Sequence, residues 1–110
     1  MATTTYKVLA QSNPAATTNT DIYTVAAATQ TVVSTIVIAN QAASSATFNI
    51  AIRVAGLAIT AKQYVAYGVT VGANDSTALT LGITMGAADV ITVQASSATL
   101  SFNAFGSETA

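Results

Sequence analysis

The sequence predicts an all-β chain: a single-domain antiparallel β-sandwich of about eight strands, jelly-roll or immunoglobulin-like. Three observations predict it. Runs rich in β-branched residues recur every ~8–15 residues, separated by clusters of turn formers. No window places apolar residues at i, i+3, i+4 and i+7, the spacing of an amphipathic helix. The alanine-rich pieces at 26–28 and 42–46 are too short and too broken by Ser and Thr to stand as helices. At 110 residues the chain holds one domain with a modest core.

The first expected strand is 6–11, where Tyr6, Val8 and Ala10 alternate with Lys7, Leu9 and Gln11. Residues 12–20 hold the only proline among turn formers and read as a loop. With the polar lead, 1–20 is a candidate N-terminal arm that extends onto a neighbouring subunit. A short strand follows at 21–25. Residues 31–54 are expected to form the central hairpin. Its second arm alternates, with Phe48, Ile50, Ile52 and Val54 on the buried side and Thr47, Asn49, Ala51 and Arg53 opposite. Its first arm, 31–40, carries Val32, Val33, Ile36, Val37 and Ile38 and leaves almost no polar face. Such a strand is one covered on both sides.

Residues 55–61 read as a crossing loop and 62–71 as a strand. Regular alternation there puts Val65, Tyr67, Val69 and Val71 on one face and Tyr64 on the other, so Tyr67 is expected in the core and Tyr64 at the surface. Gly72–Ser76 is a turn. The strand 77–85 is interrupted by Gly82, a mark of a bulge or bend. A second turn at 86–89 precedes the last two strands, 90–96 and 99–105, and a short polar tail.

Charge is sparse. Four acidic and three basic side chains make up 6% of the chain and leave a net charge of −1. A free globular domain carries about a quarter charged residues. So neutral a surface gives no field for nucleic acid or an anionic membrane and suits a protein that is secreted or packed into an assembly of identical neighbours. With no cysteine, disulfides and thiolate metal sites are excluded. No apolar run reaches the ~18 residues of a spanning helix. The first residues lack the basic-then-apolar pattern of a signal peptide, so assembly in a cytoplasm is expected.

Residues for catalysis are missing. There is no histidine, so a Ser-His-Asp triad is impossible. Asp21, Asp75, Asp89 and Glu108 are scattered one per loop or turn, and Asp75 and Asp89 sit where aspartate stabilises turns. No loop cradles phosphate and no oxygen cluster suits calcium, so no catalytic residue, metal or cofactor is expected. The residues expected at an interface are Tyr6, Val33, Val37, Arg53 and Tyr64. The valines lie on the arm with two apolar faces, and arginine is enriched at interfaces.

The segments DIYTVAAATQTVVSTIVIANQAASSATFNIAIR and GANDSTALTLGITMGAADVITVQASSATLSFNAFGSE carry a resemblance. The order of a YTV step, a VVSTI strand, an alternating ATFxIAxR strand, an N-D turn, an LTLGIT segment and a terminal FGSE resembles a family of small virion structural proteins of tailed bacteriophages. It runs from Tyr6 to Glu108, with Ala26 where that family often has proline. The resemblance implies a non-enzymatic virion protein in one of two places. One is a capsid decoration (cement) protein, a homotrimer seated where major capsid subunits meet. The other is a tail, baseplate or fibre-associated domain that contacts tail proteins or the host surface.

Overall fold

A computed structural model describes residues 2–110. In chain order the strands are β1 (Thr4–Ser12), β2 (Thr20–Thr24), β3 (Gln30–Asn40), β4 (Ala46–Arg53), β5 (Tyr64–Val71), β6 (Ser76–Leu79), β7 (Ile83–Met85), β8 (Val90–Ala95) and β9 (Leu100–Thr109). Two 3₁₀ turns, Val54–Gly56 and Ala61–Gln63, fill the connection from β4 to β5.

The strands form two antiparallel sheets, one in the order β1-β9-β3-β6 with β7 also on β3, the other β2-β8-β4-β5. The strand expected at 77–85 is divided at Gly82, whose φ of +63° takes the backbone out of the extended region. Both halves pair with β3, so they serve as one broken strand. The pairs β1·β9, β2·β8, β3·(β6, β7) and β4·β5 are then nested, as in one long hairpin rolled over on itself. That is a jelly roll. An immunoglobulin-like sandwich would join several consecutive strands as hairpins, whereas here only β4 and β5 pair as sequence neighbours.

The hairpin expected at 31–54 does not form. β3 and β4 lie in opposite sheets and face each other across the core. Asn40, only 4% exposed, turns the chain between them. Its amide nitrogen donates to the carbonyls of Ser44 (2.8 Å), Gly72 (3.2 Å) and Val71 (3.3 Å). Its Oδ1 accepts from the Ala42 amide (3.0 Å) and the Thr99 hydroxyl (3.1 Å). A buried side-chain amide with both ends satisfied makes a stable corner rather than a defect.

A bulge accounts for part of the apolar run of β3. Its pairing with β9 slips between Val33 and Thr35, a β-bulge at Ser34. Parity reverses there. Thr31 and Val33 point inward before the bulge, Ile36, Ile38 and Asn40 after it. They meet Phe48, Ile50, Ile91, Val93, Leu100 and Phe102 in the core, where Phe48 and Phe102 pack edge to face at 5.9 Å.

The N-terminal segment lies on its own domain. β1 pairs along β9. Beyond it, Asn13 Nδ2 donates to the carbonyls of Leu100 and Ala98 (2.7 and 3.0 Å), and Ala16 bridges Ala95. The polar tail also extends β9, between β1 and β3. Of the arm expected at 1–20, Met1 lies outside the described residues, Thr4–Ser12 is an integral edge strand and a docked loop follows it.

Candidate interaction surfaces

The register of the five-stranded sheet determines what its outer face presents. Across β1, β9 and β3 the outward rows read Tyr6–Ser107–Val32, Val8–Phe105–Thr35 and Gln11–Asn103–Val37. They continue to Thr84 beside Val32 and Ala78 beside Val37. None of the seven charged side chains of the described residues lies in these rows. Tyr6 is 84% exposed, Val8 and Val32 are exposed, and Phe105 is half-buried. Tyr6, Val32, Ser34, Phe105, Gly106 and Ser107 line a shallow depression on this face, with Lys7, whose ammonium pairs with Glu108, at its edge. Apart from Lys7 at that edge, the face is one of hydroxyls, amides and apolar groups, and covering it dehydrates no unpaired ion, the term that makes burying charged surfaces costly.

Of the expected interface residues, Tyr6 and Val37 lie on this face. Val33 does not. It is 1% exposed and belongs to the core, because the alternation before Ser34 turns Val32 outward instead. Arg53 is a correction of another kind. Its guanidinium donates to the Gly56 carbonyl (2.8 Å), the Leu57 carbonyl (2.8 Å), Asp21 Oδ1 (2.9 Å) and the Thr92 hydroxyl (3.3 Å). With all three of its nitrogens engaged inside the chain, it holds the start of the β4–β5 connection.

Tyr64 lies on the far side of the sandwich, and not alone. The β4·β5 pairing slips twice. The extra residue Val65 lies between the pairs Ala51↔Tyr64 and Ile50↔Ala66, and Gly68, at φ +63°, marks the second slip. Each extra residue reverses parity, so Tyr64 and Tyr67 share the outer face and Ala66, Val69 and Val71 turn inward. Tyr67, expected in the core, is 71% exposed. The two rings meet edge to face at 4.9 Å and 78°. With Ile59, Thr60 and Ala61 they line a concavity.

The four carboxylates are each engaged in holding structure. Asp21 pairs with Arg53 and Thr92. Asp75 accepts from the Ser76 amide and Asp89 from the Gly86 and Ala55 amides, as aspartate in turns does. Glu108 accepts from Lys7 (3.1 Å) and from the hydroxyl of Tyr23, which also bonds Thr31 (2.8 Å). Burial and then the Glu108 hydrogen bond push the Tyr23 phenol up to about 12. The Tyr23 and Lys7 hydrogen bonds hold the Glu108 carboxyl below its ordinary range. Because Tyr23 comes from the four-stranded sheet and Thr31 and Glu108 from the other, this cluster ties one end of the sandwich, as Asn40 ties the other.

No protein-family model, curated protein or solved structure matches the chain. The functional reading therefore rests on these surfaces. Sequence patterning missed Val8, Val32 and Phe105 as one face, and Tyr67 as the partner of Tyr64. The only local signals were Gly68 and the unbroken apolar run of β3.

Proposed function

We propose that this chain is a non-enzymatic structural protein of a tailed-phage virion, a capsid decoration (cement) protein that seats the outer face of its five-stranded sheet on the head lattice. The observation that carries the reading is the charge-free face built on Tyr6, Val8, Val32, Phe105 and Val37. The sequence resemblance to small phage virion proteins points the same way, and jelly rolls recur in viral capsids, a fold-level analogy only.

The mechanism is passive. A partner that binds the mature lattice and not its dissociated subunits stabilises the lattice by mass action. Self-association into a trimer, with major capsid subunits beneath it, is part of the proposal. No nucleic acid or membrane partner is proposed, since the chain offers no basic field for either.

The test is to add purified chain to particles stripped of it and follow shell melting. The reading requires a rise in the melting temperature that a Val32→Glu chain does not give. An unchanged shell at saturating chain would sink it.

A second reading has its own observation. The exposed Tyr67, packed on half-buried Tyr64 on the opposite sheet, suits a tail, baseplate or fibre-associated domain that touches the host surface. That reading requires few copies, confined to the tail or one vertex.

A further inference from the structure

We infer that the concavity around Tyr64 and Tyr67 is a binding site for a neutral saccharide, which stacks the apolar face of a sugar ring on Tyr67 and hydrogen-bonds at the phenol rim. Four features of the site carry this.

The first is exposure against type. The phenylalanines Phe48 and Phe102 are fully buried, yet Tyr67 gives most of a large ring to water. The second is the arrangement. Two rings edge to face make a floor and a wall, closed by Ile59, Thr60 and Ala61. Aromatic lining with a few polar groups at its rim is the usual composition of a small-molecule site.

Third, the polar groups at the rim are free. Neither phenol hydroxyl bonds a protein group among the described residues, in contrast to Tyr23. No charged side chain lines the concavity, so it offers no ion-pair partner to a charged ligand. A ligand recognised there is uncharged and rich in hydroxyls.

Fourth, the site is pre-organised. Gln63 Oε1 accepts from the Thr60 amide at 2.8 Å, and the Gln63 amide donates to the Thr60 carbonyl at 3.2 Å, which closes the 3₁₀ turn. Gln63 Nε2 donates to the Ala58 carbonyl at 3.1 Å. On the other side the Gly68 amide donates to Asn49 Oδ1 at 2.7 Å and fixes the bulge that orients Tyr67. A fixed site avoids the ordering cost that a mobile loop would pay on binding. The inference does not depend on placement in the head, because the tyrosines and the charge-free face lie on opposite sides of the sandwich.

The experiment is an NMR titration of the full chain with the methyl glycosides of glucose, galactose, mannose and N-acetylglucosamine, and separately with a proline-rich peptide. At least one glycoside is expected to shift the amides of residues 59–68 with affinity on the order of 1 mM. The Tyr67→Ala chain, whose ring is exposed and whose melting temperature serves as the folding check, is expected to bind it at least about tenfold more weakly. Tyr6→Ala, at the distant face, is expected to bind unchanged. The inference is overturned if none of the four glycosides shifts these amides, if the shifts persist in Tyr67→Ala, or if the peptide alone produces them.

Discussion

Gly106 and Val32 approach so closely that a Cβ on the glycine would lie 2.0 Å from the Val32 carbonyl oxygen. The contact sits beside the β3 bulge at Ser34, where β9 and β3 lose register. It lets β3 turn Val33 into the core and Val32 out to the charge-free face.

Gly106→Ala therefore forces backbone apart at the centre of a sheet. We expect a loss of at least about 3 kcal/mol of stability, or failure to fold. Gly68→Ala is the informative contrast, since its φ is +63° but nothing lies within 4 Å of the added methyl. It should cost about 1 kcal/mol of backbone strain. Urea unfolding of both variants checks the ranking, and equal costs would contradict it.

Asn40→Ala removes a buried amide and leaves the carbonyls of Ser44, Val71 and Gly72 without that donor. Unsatisfied buried polar groups cost about 1–3 kcal/mol each, with partial relief by water in the space left behind. A total loss of roughly 2–4 kcal/mol is expected from denaturant melts. Asn40→Asp should also destabilise, because its carboxylate cannot donate to those three carbonyls.

The Tyr23–Glu108 clasp predicts a dependence on alkali. The Tyr23 phenol titrates at its ordinary 10.0 when unfolded and at about 12 when folded. Its contribution is complete below pH 10 and is lost as pH rises toward 12, because the unfolded chain sheds its proton first. Glu108, held low in the folded chain, contributes above its ordinary value of 4.5 and loses that contribution as pH falls through its folded value. Tyr23→Phe should lower stability near neutrality by about 1–2 kcal/mol. It should also flatten the fall between roughly pH 10 and 12, measured by urea midpoints against pH.

Tyr6→Glu and Val32→Glu put charge on the outer face without touching the core. The isolated chain should lose about 1 kcal/mol or less in each case. Incorporation into particles, read by protein gel of purified virions, should fall steeply for both. Normal incorporation of both variants would remove this face from the account.

Much of the fold is legible in the sequence, and the errors of side-chain facing share one cause. Period-two alternation locates the strands, Gly82 announces the break between β6 and β7, and Asp89 caps the turn that its position suggests. What alternation cannot carry is a bulge. Extra residues at Ser34, Val65 and Gly68 reverse which side chains face inward, and the errors over Val33 and Tyr67 follow from them. Asn40 misleads differently. It reads as the last residue of a hairpin arm, and its five partners are brought together only by the fold. The charge-free face was legible as composition but not as a place, since its rows come from strands far apart in the chain.

Cryo-electron microscopy of intact virions tests the central claim most directly. The account predicts hundreds of copies on the head, at joints between capsid subunits, with Tyr6, Val32 and Phe105 against the shell and Tyr67 facing outward. A dozen or fewer copies confined to the tail or a single vertex, or head copies seated through Tyr64 and Tyr67, would contradict it.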